Sequence, residues 1–147
     1  MADQPTKPIM IILRGCPGAG KTTIAEKCFP DYVKCSADDH FMKNGVYYFN
    51  RYEIQLAHDN CYAKAKKALA DGKNVIVDNT NRKLDEFKRY LDLSNLTSKI
   101  RICKVVSQFQ STKPIPDHVI PTFHREYQRH PEERQVKMGE NGELLLR

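Results

Sequence analysis

No apolar run in the 147 residues approaches the length of a membrane span, and the first eight residues lack the apolar core of a secretory leader. No C-x-x-C pair occurs. The cysteines, at 16, 28, 35, 61 and 103, are odd in number, so the pattern suggests neither a disulfide framework nor a zinc site. Reduced thiols fit an intracellular setting, cytoplasmic or nuclear, with no membrane partner. His40, His58, His118, His124 and His130 show no metal-ligand spacing, and His58 falls on an apolar stripe where it reads as a packing residue. There is no repeat, no low-complexity stretch and no internal linker. A chain of this length then holds one core.

The composition present, 40% hydrophobic and 29% charged, is ordinary for a globular protein. The net charge of +6 favours polyanionic partners, nucleic acid included. It is equally what solvated helix faces carrying Lys64, Lys66, Lys67 and Lys73 would give.

One segment carries more information than the rest. Gly15-Cys16-Pro17-Gly18-Ala19-Gly20-Lys21-Thr22, followed by Thr23, is a G-x-x-x-x-G-K-[ST] phosphate-binding loop. Its glycines let the backbone curl and aim successive N–H groups at phosphate oxygens. Lys21 supplies a charge for the outer phosphates, and the Thr22 hydroxyl is a Mg²⁺ ligand. The context matches: residues 9–13 are continuously apolar, as a buried parallel strand is, and residues 22–29 have helical spacing until Pro30 stops them. Cys16 reads as a tolerated small side chain whose oxidation would crowd the phosphates.

Strand and helix then alternate. Residues 32–35 read as a second strand. A polar loop holds Asn44-Gly45. A helix over 50–70 buries Ile54, Ala57, His58, Cys61, Ala65, Ala68 and Leu69 and closes at Gly72. Residues 75–77 form a β-branched third strand, and residues 84–93 a helix with Leu84, Phe87, Lys88 and Leu91 on one face. Residues 100–106 read as a fourth strand, 107–116 as a polar loop, and 119–129 as a helix with Pro121 in its first turn. The expected architecture is an α/β domain of P-loop NTPase type: a parallel sheet of about four strands with helices on both faces. The domain occupies 9–135, after a polar segment 1–8. Residues 136–147 form a tail, either a hairpin turning at 139–142 or a loose end.

In such sheets ligands sit beyond the carboxyl ends of the strands. Three polar clusters fall there: the phosphate loop, Asp38-Asp39, and Asp78-Asn79-Thr80-Asn81-Arg82. Asp38 or Asp39 is a candidate acceptor of a hydroxyl proton, or else part of a cap or solvated turn. Asp78, after three apolar residues, resembles a Walker-B-type acid that holds metal. Asn79, Thr80 and Asn81 offer hydrogen bonds to phosphate or ribose, and Arg82 is either a phosphate contact or a surface residue.

Gly15 to Thr23, Ser36-Ala37-Asp38-Asp39 and Asp78-Asn79-Thr80-Asn81 together resemble the kinase domain of 5′-hydroxyl polynucleotide kinases, above all their small animal relatives. Asn44-Gly45-Val46-Tyr47 and Phe49-Asn50 are similar to phrases of that animal group. The resemblance covers about residues 9–106, with a weaker likeness at 112–116 and the helix after it. It implies transfer of the γ-phosphate of ATP, with Mg²⁺, to a 5′-hydroxyl of DNA or RNA. It makes Lys21 and Asp38 the catalytic pair, Asp38 as general base. Asp39 and residues 79–82 then line the acceptor side, and Thr22 and Asp78 hold the metal. Two positions depart from the family pattern. The segment 107–112 lacks the family's lid arginine, and Phe41 stands where an acceptor-binding arginine is found; its ring either stacks on a base or packs inward. The alternatives are a small-molecule kinase on the same scaffold and a nucleotide-binding module without catalysis.

Overall fold

Six residues in a row, Ile9–Arg14, make strand β1, and all but the first are buried, as the middle strand of a doubly covered sheet must be. The computed structural model describes residues 6–17, 19–106, 117–139 and 144–146. After β1 come α1 (Lys21–Cys28), β2 (Val33–Cys35), the small hairpin β3 (Met42–Lys43) and β4 (Val46–Tyr47), α2 (Ile54–Ala70), β5 (Val75–Asp78), α3 (Leu84–Leu91), β6 (Lys99–Val105), α4 (Val119–Glu126), β7 (Arg134–Met138) and β8 (Leu144–Leu146).

The main sheet has the order β2-β5-β1-β6-β7-β8. All neighbours are parallel except β7 and β8, which pair antiparallel. Leu13 lies opposite Asp78 and Cys103, so the ends of β1, β5 and β6 finish level with one another. Side chains alternate between two faces. Met10 and Ile12 pack with Cys61, Ala65 and Leu69 of α2 and with Phe87 and Tyr90 of α3. Ile11 and Leu13 pack on the other face with Ile24 and Ala25 of α1 and with Val136. The fold is therefore a mostly parallel α/β sheet with helices on both faces.

The sheet has six strands where the sequence reading expects about four. The extra two come from the tail, and the expected boundary at 135/136 falls inside β7. Within Arg134–Met138 the one fully buried side chain is Val136, so no apolar run announces the strand. The turn expected at 139–142 lies outside the described residues from 140 on, as do Gly18 and the loop 107–116.

Three local readings also change. The helix over 50–70 starts as a 3-10 turn, Arg51–Glu53, because the Asn50 side chain caps Tyr52 N; Ile54, expected on the buried stripe, is exposed. The α3 face that packs inward is Phe87 and Tyr90, continued by Leu93, while Leu84 and Lys88 face water. Asn44-Gly45 is a two-residue hairpin turn: both residues have positive φ, 52° and 79°, which the twist of β3 and β4 favours.

Candidate functional site: the phosphate loop and the neighbouring strand tips

Gly15 follows β1 directly and donates its N–H to the Thr80 carbonyl at 3.1 Å, which seats the loop on the end of β5. A Cβ on Gly15 would meet the Val105 carbonyl at 3.3 Å and Ala19 Cβ at 3.4 Å, so even a methyl group there would require these neighbours to give by a few tenths of an ångström. Ala19 N closes a turn onto the Cys16 carbonyl at 2.9 Å. Gly20, at φ +95°, takes the left-handed conformation that leads into α1. No side chain caps α1, and its first turn has no acidic residue, so its amides and positive end suit an anion. The Lys21 ammonium is folded back on the loop and donates to the Gly15 and Cys16 carbonyls, each at 3.1 Å. Cys16 and Pro17 are half-buried; burial pushes the Cys16 thiol up despite Lys21 nearby, so the protonated, less reactive form prevails.

Thr22 Oγ1 donates to Asp78 Oδ2 at 2.7 Å, while Thr23 is half-buried. Asp78 is nearly fully buried. Burial raises its carboxyl above the usual range, and the Thr22 hydrogen bond and Lys21 pull the other way. A hydroxyl and a carboxylate side by side are hard oxygen donors. Mg²⁺ takes one or two such protein ligands and completes its shell with phosphate and water, so this pair fits it.

The tip of β2 runs into a 3-10 turn, Ala37–Phe41, because Ser36 Oγ accepts from Asp38 N at 3.2 Å. Asp38 is exposed, and its Oδ1 accepts a hydrogen bond from the Tyr47 hydroxyl of β4 at 3.3 Å. Burial and that carboxylate push the Tyr47 phenol up to about 12, so it remains a donor across the neutral range. Asp39 faces Lys64 at 3.8 Å. Phe41 packs inward against Ala37 and Ala57, which decides between the two readings of its ring.

Residues 79–82 join these pieces. Asn79 is buried: its Oδ1 accepts from Ala37 N at 2.8 Å, and its Nδ2 points to Cys61 Sγ at 3.6 Å. It thereby pins the turn bearing Asp38 to the end of β5. Asn81, also buried and at φ +46°, donates from Nδ2 to the Leu13 carbonyl at 2.8 Å. Thr80 offers the carbonyl that seats Gly15. The Arg82 guanidinium lies between Glu126 at 2.8 Å and Glu86 at 3.7 Å. Asn79 and Asn81 thus spend their side-chain hydrogen bonds inside the protein.

A residue that sequence reasoning passes over supports all of this. Arg14, the last residue of β1, is 0% exposed. Its guanidinium donates to the Asn81, Arg82 and Gln128 carbonyls at 2.7, 3.0 and 2.6 Å and pairs with Glu133 at 2.6 Å. The Phe87 and Tyr127 rings lie 4.5 and 4.3 Å from it. The available signal was a cation ending an otherwise apolar strand, which demands a buried partner. A cavity of about 630 Å³, lined by Lys104, Tyr127, Arg129 and Arg134 among others, borders this cluster and includes no described residue of the phosphate loop.

Comparison with known proteins bears on the family and the fold. The model of the AAA_33 family, described as an AAA domain, matches residues 10–108. Human NEDD4-binding protein 2 is 37% identical over 90 residues, 58% of this chain, and the chain spans only 5% of that protein's length. The fold is similar to a chain of the Pnkp1/Rnl/Hen1 complex (TM-score 0.57, 21% identity, 88% of this chain and 43% of that one). It is also similar to a gluconokinase from Sinorhizobium meliloti (TM-score 0.58, 14% identity, 90% and 83% covered). The fold is P-loop kinase-like.

Proposed function

This chain belongs to the AAA_33 family, and on that premise we propose that it is a kinase that moves the γ-phosphoryl group of ATP to a 5′-hydroxyl of DNA or RNA. The observation that carries the reading is the Thr22–Asp78 pair at 2.7 Å, which joins the phosphate loop to the tip of β5, while the neighbouring tip of β2 leads into the turn that presents Asp38. Phosphoryl transfer asks the protein for charge neutralisation and alignment, with a proton acceptor beside the attacking alcohol. The loop amides, the start of α1 and Lys21 hold the phosphate oxygens. Thr22 and Asp78 would hold Mg²⁺, which when bound offsets phosphate charge. Asp38 takes the proton of the acceptor hydroxyl. The acceptor oxygen bonds to the γ-phosphorus as the bond from that phosphorus to the bridging oxygen breaks, and ADP leaves. The net charge of +6 and the likeness to the Pnkp1 complex support a nucleic-acid acceptor. The five free cysteines suit a reducing, intracellular setting.

The gluconokinase likeness favours a second reading, a small polyol or sugar acceptor. Labelled ATP offered with 5′-hydroxyl oligonucleotides, nucleosides and gluconate separates the two. Label is expected on oligonucleotide ends, with Asp38→Ala about 100-fold slower or worse. Label on gluconate alone favours the second reading, and ATP binding without any labelled acceptor makes the chain a nucleotide-binding module.

A further inference from the structure

The segment that follows Asp38 is unusually rich in exposed rings. Tyr48 and Phe49 are each 58% exposed and Tyr52 is 81% exposed, with Tyr47 beside them at 41%. Single exposed aromatics need no explanation, but a set on one short stretch, from the end of β4 to the turn before α2, marks a surface that something covers. Two of these rings, Tyr47 and Phe49, are ordered against a third, while Tyr48 stands on the segment between them. Phe41 forms a buried floor, 5.3 Å from Phe49 and 6.0 Å from Tyr47, and Tyr47 and Phe49 lie 6.5 Å apart and only 22° from parallel.

The backbone that carries them is braced. Asn44-Gly45 makes the tight turn, Tyr48 N donates to the Phe41 carbonyl at 2.8 Å, and Glu53 lies 2.9 Å from both His40 Nε2 and Asn50 Nδ2. A shelf fixed in this way orders few side chains when it binds, which favours affinity. Its location is also defined: the Tyr47 hydroxyl touches the Asp38 carboxylate, so a group held at Asp38 has these rings next to it. Two exposed cations lie in the same stretch of chain, Lys43 on β3 and Arg51, whose guanidinium lies 4.9 Å from the Tyr52 ring. Flat exposed rings alternating with cations are the arrangement that holds single strands, bases on rings and phosphates on cations.

We propose that Tyr48 and Phe49, on the braced stretch beside Asp38, stack the unpaired bases at the end of a single-stranded polynucleotide. The acceptor is then an unpaired end rather than a blunt duplex or a lone sugar. This inference rests on the reading of Asp38 as the residue that faces the acceptor.

The test uses the full chain with ADP and Mg²⁺ and a 5′-hydroxyl oligonucleotide labelled at its 3′ end. Fluorescence anisotropy gives affinity, and ATP turnover is followed in parallel. Replacing the first two nucleotides by abasic residues keeps the hydroxyl and the phosphates; it is expected to weaken binding and raise KM about tenfold or more. Tyr48→Ala and Phe49→Ala are expected to weaken binding of the normal strand to a similar extent while kcat and binding of the abasic strand hold. Tyr48→Phe and Phe49→Tyr should keep binding of the normal strand, whereas a merely structural role for these rings would show as a loss in the alanine variants that is the same on normal and abasic strands. Equal affinity for normal and abasic ends overturns the shelf. So does an equal loss on both strands in the variants, or a dimer that dissociates on Tyr48→Ala, which would assign the rings to a second copy. Base-dependent binding without transfer keeps the shelf and defeats the kinase reading; transfer without base dependence does the reverse.

Discussion

Arg14 and Lys21 are cations at the two ends of one loop, and the structure uses them in opposite ways. Arg14 is sealed between two rings and bound to three carbonyls and a carboxylate. Lys21 rests on the carbonyls of Gly15 and Cys16 in the loop it serves. A guanidinium with its donors committed is fixed in place. An ammonium held by neutral carbonyls is drawn to phosphate at small cost, because the charged acceptor makes the stronger bond. Positive charge beside a phosphate loop therefore does not by itself identify a phosphate ligand; what the donors are already bonded to decides.

Removing the two cations tests that contrast. Arg14→Ala takes the cation from the buried Glu133 carboxylate, leaving it the hydrogen bonds from the Tyr127 hydroxyl and His130 N, and is expected to cost about 3–5 kcal/mol of stability, read as a fall in Tm, while turnover per folded molecule is retained. A folded, stable and inactive Arg14→Ala protein would place Arg14 with Lys21. Lys21→Ala is expected to slow phosphoryl transfer by about 100- to 1000-fold, with Tm little changed. Asp78→Asn sharpens the comparison at an acid. An acid whose pKa is raised by folding weakens the native state when ionised; the penalty is absent below the ordinary carboxylate range and complete above the raised value. The amide variant is thus expected to melt higher than the parent at pH 7 and to lose that advantage as pH falls below about 4, while Mg²⁺ affinity in turnover drops about 10- to 100-fold. The smallest effect is expected from Asn79→Ala, a loss of about 1–3 kcal/mol from freeing Ala37 N, with KM for the acceptor rising more than KM for ATP. The reverse pattern would mean that Asn79 serves the nucleotide and not the turn bearing Asp38.

The sheet was legible where chemistry fixes spacing or where burial fixes composition. The loop from Gly15 to Thr22 and the runs at β1 and β5 leave few alternatives. β7 was legible as one arm of a tail hairpin, which its antiparallel pairing with β8 bears out, and not as a strand of the main sheet, because one buried side chain makes no apolar run. Asn79 and Asn81 show a different limit. Both stand at a strand end, where ligands bind, and residue type alone does not say whether a side chain faces the ligand or the neighbouring backbone. The partner of Arg14 was hidden for another reason: Glu133 lies 119 positions away, and no local pattern reports a contact made that late in the chain.

That separation has a consequence for biosynthesis. At ribosomal speeds of roughly 5–20 residues per second, about 6–24 s pass between the emergence of the arginine and of the glutamate that neutralises it. For that interval the strand under the phosphate loop ends in a charge that cannot be buried. A nascent or cleaved chain that stops short of Glu133 lacks the carboxylate that neutralises the end of β1, and it is expected to handle nucleotides poorly even though every residue of the motif is present.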